Sequence, residues 1–100
     1  MLIYNVTVAV DKDIEIEWLR WMQQTHIPDV MATGMFVSSR MFKIIGVEES
    51  EAVSYAIQYS AQSLGDVDLY LQHHAPRLRN ESHQKFGDKQ VAFRTLLEEV

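Results

Sequence analysis

The chain has 100 residues, 47% of them hydrophobic and only two of them proline, a composition typical of one globular domain. Fourteen acidic residues against nine basic ones give a formal net charge of −5, which disfavours nucleic acid and anionic membranes as main partners. The absence of cysteine excludes disulfides, thiolate zinc sites and a cysteine nucleophile. No apolar stretch reaches the ~20 residues of a membrane span, and the first segment lacks the basic region of a signal peptide, so we expect a cytoplasmic protein.

The hydrophobic period changes near Asp11, which separates a predicted strand from a predicted helix. Residues 2–10 are rich in β-branched side chains and alternate, as in a strand with Val6, Val8 and Val10 on one face. From Ile14 a period of about 100° per residue predicts an amphipathic helix. Pro28 predicts a break or kink near residues 26–28, and Thr33-Gly34 the helix end. The predicted buried stripe of this helix comprises Ile14, Trp18, Trp21, Met22 and Thr25.

Two further strands, a second helix and a final strand follow. Residues 35–47 and 52–61 predict an antiparallel hairpin around a polar turn at 46–51. A capping box at Ser63–Asp66 begins the second helix, which Pro76 should kink and which should end at 86–88. Residues 90–100 predict the last strand. The order β-α-β-β-α-β predicts an α+β fold with a ferredoxin-like, four-stranded antiparallel sheet in a single domain over residues 1–100.

In this topology both helices cover one face of the sheet and leave the other bare. A half-apolar sheet face is unfavourable in water, so we expect a second surface to cover it. A copy of the same chain is the simplest cover, which predicts a homodimer.

Short sequence segments along nearly the whole chain resemble those of a known protein family. They are Tyr4-Asn5-Val6-Thr7, Trp18-Leu19-Arg20-Trp21-Met22, His26-Ile27-Pro28, Ala32-Thr33-Gly34, Gln58-Tyr59, His74-Ala75-Pro76-Arg77-Leu78-Arg79, Phe86-Gly87-Asp88 and Val91-Ala92-Phe93-Arg94-Thr95. Together they resemble a domain-of-unknown-function family of short bacterial proteins. The resemblance implies the dimeric α/β-barrel superfamily, to which antibiotic-biosynthesis monooxygenases are similar in fold. It implies no catalytic residue, because fold similarity alone does not carry function.

Four polar residues are candidates for ligand binding on the bare face. Asn5 and Gln58 belong to the two central strands, and Arg94 and Arg40 on the outer strands could share their side. Buried side chains of these types need hydrogen-bond partners, so the set could hold a carboxylate, a carbonyl or a water. The alternative is a polar dimer interface or plain solvent exposure.

The histidines and two arginines are the remaining candidates for chemistry. His26 precedes the predicted kink and is a candidate general acid–base, since an imidazole titrates near neutral pH; alternatively it bonds carbonyls freed by Pro28. His74 could ligate haem iron or bond backbone groups near Pro76, but no second ligand accompanies it, so we expect no metal and no cofactor. Arg77 and Arg79 could bind an anion or pair with surface acids.

Two classes of function fit these observations. The leading hypothesis is a homodimeric small-molecule-binding protein, with a cofactor-free enzyme as its catalytic form. The competing hypothesis is a non-catalytic dimerisation or interaction module whose sheet face is simply filled.

Overall fold

The computed structural model describes residues 1–46 and 51–100. The strands are β1 (Leu2–Asp11), β2 (Ser38–Lys43), β3 (Ala52–Ala61) and β4 (Gln90–Glu98), and the helices are α1 (Glu15–Trp21), α2 (Ile27–Ala32), α3 (Leu64–His73) and α4 (Ala75–Phe86). Short 3₁₀ turns cover Lys12–Ile14 and Gly87–Lys89, and a π-helical turn, Met22–His26, joins α1 to α2. The sheet order is β2-β3-β1-β4 with every neighbouring pair antiparallel, which confirms the ferredoxin-like α+β fold.

The alternation along β1 decides which side of the sheet meets the helices. Val8 and Val10 are buried in the core, as predicted, together with Trp18 of α1 and Leu78 of α4. Because successive strand residues point to opposite faces, Ile3, Asn5, Thr7 and Ala9 face away from the helices. We call that second side, with the residues of β2, β3 and β4 that pair with it, the open face.

The first helical segment contains a π-helical turn close to the position where Pro28 predicts a break. The chain continues from α1 to α2 through the π-helical turn, and Pro28 lies in the first turn of α2. A π turn is wider than an α turn, so the periodic position of the next inward residue shifts. Thr25, predicted in the buried stripe, is exposed for this reason, and His26 is half-buried instead.

The second predicted strand is shorter than its sequence pattern. Strand β2 begins at Ser38 rather than at residue 35, because Phe36 turns into the core, where its ring lies 4.9 Å from that of Tyr70. Val47 and most of the predicted turn, residues 47–50, lie outside the described residues.

The ends of the second helical segment follow the predicted signals. The Ser63 hydroxyl accepts a hydrogen bond from the Asp66 backbone N–H at 3.2 Å, as an N-cap does. The helix breaks at His74, whose φ of −124° is not helical, two residues before Pro76. Gly87 ends α4 with a φ of +56°.

We expect Gly87→Ala to lower the free energy of unfolding by about 1–2 kcal/mol, because a Cβ is strained at positive φ. Gly65→Ala is the matched control, since it lies inside α3 and its added Cβ would meet only the Ser63 Oγ, at 3.7 Å. That substitution should leave the free energy unchanged or raise it by up to about 1 kcal/mol. Urea denaturation of both variants is the measurement. Equal losses from the two would contradict the conformational explanation.

Candidate ligand-binding site

A cavity of about 200 Å³ lies between the sheet and the helices. Strands β1, β3 and β4 form one side of this helix-side cavity, and α1, the π-helical turn, α3 and α4 form the other. Concave, partly apolar spaces with a few convergent polar groups are the usual sites for small ligands. Its polar lining includes His26, Tyr59, Tyr70, Arg79, Gln90 and Arg94.

A hydrogen-bond chain through Gln90 ties together three elements around the cavity. The Trp18 indole N–H donates to the Gln90 side-chain oxygen at 2.9 Å. The Gln90 amide in turn donates to the Ser82 carbonyl at 3.2 Å and to the Ser82 hydroxyl at 2.5 Å. Because these residues belong to α1, β4 and α4, the chain fixes the helices relative to the edge strand.

Three tyrosine rings, which we call the tyrosine wall, also line the cavity. Tyr4, Tyr59 and Tyr70 pack around Phe36, with ring centroids between 4.9 and 6.2 Å apart. The Arg79 guanidinium donates a hydrogen bond to the Tyr4 hydroxyl at 3.1 Å. Burial raises the pKa of Tyr59 well above its ordinary value and that of Tyr70 to about 12, so both hydroxyls stay protonated at neutral pH.

His26 is the unusual polar group of the cavity. Its ring stacks on Trp21 with centroids 5.0 Å apart, and its Nδ1 is buried with no hydrogen-bond partner among the described residues. Burial lowers the pKa of His26 to about 4; the Asp29 charge opposes this shift and the Arg94 charge adds to it. The imidazole is therefore neutral at pH 7, and its Nδ1 does not make the bond to carbonyls near Pro28 that was the alternative prediction for this histidine.

The prediction that Arg94 shares the open face with Asn5 is wrong. Arg94 pairs with Val6, whose side chain faces the helices, and it lines the helix-side cavity. Adjacent residues of a strand point to opposite faces, so the one-residue difference from Thr95, which pairs with Asn5, decides the side. The structure thus brings Arg94 together with His26 and separates it from the other three ligand-binding candidates.

Those three residues form one row on the open face. Asn5 pairs with Gln58 between β1 and β3, and Gln58 pairs with Arg40 between β3 and β2. The Asn5 amide donates to the Thr7 hydroxyl at 3.1 Å, and the Arg40 guanidinium lies 5.1 Å from the Phe42 ring centre. None of the three lines the cavity. Their role in binding stays a prediction.

Other candidates take surface or packing positions. Arg77 pairs with Glu81 one helical turn away at 3.8 Å, and the His74 ring stacks on Tyr70 at 6.3 Å. In residues 1–46 and 51–100, no group of three or more His, Asp or Glu side chains is arranged to hold a metal ion. Over the same ranges, no helix has the length and apolar character needed to cross a membrane.

The sequence reasoning missed the tyrosines and Gln90 as cavity residues and left Arg79 open between two roles. The sequence does contain a signal for the tyrosines. Tyr4 and Tyr59 occupy helix-facing strand positions, and a buried tyrosine hydroxyl needs a polar partner. Arg79 and Gln90 lacked such a signal, since their neighbours come from distant parts of the chain.

The whole chain, residues 1–100, matches the model of a domain of unknown function, DUF4286, and the protein belongs to this family. No curated protein matches it. The family assignment confirms the resemblance found in the sequence.

Similar solved structures show the same fold at low sequence identity. An ethyl tert-butyl ether D (EthD) family protein from Bacillus halodurans has a TM-score of 0.71 at 14% identity, covering 100% of both chains. A dimeric ferredoxin-like protein from an uncultured marine organism has a TM-score of 0.64 at 12% identity, covering 99% of this chain and 98% of that one. A candidate antibiotic biosynthesis monooxygenase from Deinococcus radiodurans has a TM-score of 0.59 at 13% identity, covering 100% and 93%. At these identities the similarity establishes the fold alone.

Proposed function

We propose that the protein is a homodimer that binds a small molecule in the helix-side cavity of each subunit. The observation that carries the proposal is His26, which lines that cavity and whose buried Nδ1 has no hydrogen-bond partner among the described residues. A buried polar atom without a partner costs about 1–3 kcal/mol, so its presence favours a ligand that supplies the missing hydrogen bond.

The geometry supports binding better than acid–base catalysis. An efficient general base has a pKa near the working pH, whereas the pKa of His26 is lowered to about 4. At neutral pH the imidazole is a hydrogen-bonding group with little basic strength. A cofactor-free enzyme would need the bound ligand to raise that pKa.

A fragment screen read at the His26 imidazole tests the proposed site. We expect some fragments to shift the His26 ring signals in NMR spectra of the wild type and to lose at least tenfold in affinity in Ala92→Leu. Ala92 is half-buried and lines the cavity, so the larger side chain takes up ligand space. Ala32→Leu, at an exposed position of α2, is the control and should bind like the wild type. A library that leaves the His26 signals unchanged would count against the cavity.

The open face supports the dimeric part of the proposal. Four strands about 4.8 Å apart, at about 3.3 Å per residue, give a face of roughly 600 Å² in projection, of the same order as the ~800 Å² per partner of standard interfaces. Among the described residues its charged side chains are Arg40 and, at one end, Asp11, which have opposite signs, so two copies can meet without strong net repulsion. The ferredoxin-like structure from the marine organism is described as dimeric. The exposed large apolar residues of this face are Phe42, Val91, Phe93 and Leu97.

We expect Phe93→Glu to raise the dissociation constant of the homodimer at least tenfold. Phe93 is 62% exposed in the single subunit and pairs with Thr7 on the open face, so the new carboxylate would be buried twice in a symmetric interface. Ile16→Glu, at a 75% exposed position of α1, is the matched control. Sedimentation equilibrium of both variants measures the effect. A strictly monomeric wild type would refute the dimer. If Phe93→Glu dissociates the dimer and no fragment binds in the cavity, the result would favour the competing hypothesis of a non-catalytic interaction module.

Cytoplasmic location and bacterial origin stay predictions from the sequence. Two of the similar structures come from the bacteria Bacillus halodurans and Deinococcus radiodurans, which agrees with the predicted origin. Fractionation of a host that carries the gene would test the location.

A further inference from the structure

The charge of the helix-side cavity is opposite in sign to that of the chain. The protein has a formal net charge of −5, yet among the residues that the structure describes no aspartate or glutamate lines the cavity, whereas Arg79 and Arg94 do. Positive charges at the rim of a concave site raise the local concentration of anions, and this attraction weakens as salt screens the exposed charges. The cavity therefore attracts anions although the whole chain repels them.

The two arginines are free to bind an anion. Within residues 1–46 and 51–100 the ion pairs involve other cations, so neither Arg79 nor Arg94 has a carboxylate partner. Arg79 uses one donor on the Tyr4 hydroxyl, and a guanidinium has five N–H groups in all. Both residues are exposed at the rim, where the remaining donors can meet an incoming ligand.

Both arginines line the cavity together with Tyr70 and His26, and Arg79 also bonds the Tyr4 hydroxyl. Burial and the nearby Tyr4 raise the pKa of Tyr70, while the charges of Arg79, Arg94 and Arg77 act in the opposite direction. The Arg94 charge also reaches His26. A ligand that contacts the arginines therefore occupies the same cavity as the tyrosine rings and the imidazole.

The size and walls of the cavity favour a small, flat ligand body. A volume of about 200 Å³ equals that of roughly seven liquid water molecules and is below the ~300 Å³ at which pockets for drug-sized ligands begin. The aromatic rings of Tyr4, Tyr59 and Tyr70 offer faces and edges on which a planar group packs well.

We infer that the ligand is a small planar organic carboxylate, held by Arg94 and Arg79 through its charged group and by the His26 imidazole through a second polar group. The inference rests on the proposed function, which assigns ligand binding to this cavity. A guanidinium fork matches the two oxygens of a carboxylate, and such charge-assisted bonds are about twice as strong as neutral ones.

Three probes that differ in charge and shape test the ligand class on the full-length protein. Benzoate carries both the planar body and the charge, benzamide carries the body without the charge, and inorganic phosphate carries the charge without the body. We expect benzoate to bind at least tenfold more tightly than either of the others, with shifts of the His26 ring signals. Bound benzoate should also raise the pKa of His26, since a nearby negative charge favours the imidazolium.

Arg94→Gln should weaken benzoate at least tenfold and leave benzamide unchanged. Arg20→Gln is the matched control, because Arg20 is exposed on α1 and does not line the cavity. Equal affinity of wild type for benzoate and benzamide, tighter binding of phosphate, or equal weakening by the two substitutions would overturn the carboxylate inference. In those cases small-molecule binding at His26 would still stand. Only a cavity that responds to no fragment of any charge would overturn both proposals.

Discussion

Trp18→Ala should lower the free energy of unfolding by about 4 kcal/mol. Trp18 is fully buried at the centre of the core, its ring lies 5.1 Å from that of Tyr55, and its indole N–H bonds Gln90. Truncating a buried aromatic residue to alanine costs about 3–5 kcal/mol, from lost burial and from the space left behind. Since a domain of this size has only about 5–15 kcal/mol in total, the variant should be near the limit of folding.

Trp18→Phe separates packing from hydrogen bonding in this prediction. The phenyl ring keeps most of the apolar contact but leaves the Gln90 oxygen without its indole donor, so we expect a loss of about 1–3 kcal/mol. Leu64→Ala, at an exposed position of α3, should change the free energy by less than about 0.5 kcal/mol. Urea denaturation at one fixed protein concentration is the measurement, because dimerisation makes stability depend on concentration. If Trp18→Ala lowers the free energy of unfolding by less than about 1 kcal/mol, the assignment of Trp18 to the core would be contradicted.

The folded protein should lose about 2–3 kcal/mol of stability between pH 6.5 and pH 4 because of His26. The pKa of this imidazole is near 6.5 in the unfolded chain and about 4 in the folded one. Between these values the unfolded chain binds a proton that the folded chain does not, so stability is complete above pH 6.5 and falls as the pH decreases. The cause is burial; the Arg94 charge adds to the effect and Asp29 opposes it, and Arg79 and His83 of α4 line the same cavity.

His26→Phe is the variant that isolates this effect. A phenyl ring retains the packing on Trp21 but does not titrate, so the slope of stability between pH 4.5 and 6.5 should disappear. His73→Gln, which removes an exposed imidazole outside the cavity lining, should keep the slope. The Tyr55 hydroxyl, aided by Lys43, lowers the pKa of Glu15, but that carboxylate affects stability only below its ordinary value of 4.5. An unchanged slope in His26→Phe would place the acid sensitivity elsewhere.

His26→Phe also connects stability with function. Replacing the imidazole removes a buried Nδ1 that has no partner in the described residues, so the variant should be at least as stable as the wild type at pH 7. Side chains that reduce stability are retained mainly where activity needs them. A more stable variant that no longer binds fragments would show this compromise directly.

Strand β3 shows what a local pattern can determine. Its bounds, Ala52–Ala61, agree with the prediction because Tyr55, Ile57 and Tyr59 alternate with small or polar residues over its length. Strand β4 shows the limit. Apolar residues occur on both of its faces, with Phe93 on the open face and Leu96 among the helix-facing residues, so periodicity does not indicate which side meets the helices.

The amino-acid sequence by itself determined the element order, the ferredoxin-like sheet, the helix ends at Ser63 and Gly87 and the face of β1, because these depend on local periodicity and on backbone preferences of single residues. Only the tertiary structure decided that Arg94 joins His26 rather than Asn5. That outcome depends on the register between β1 and β4 and on a π-helical turn that brings His26 inward, and both are set by packing between distant segments.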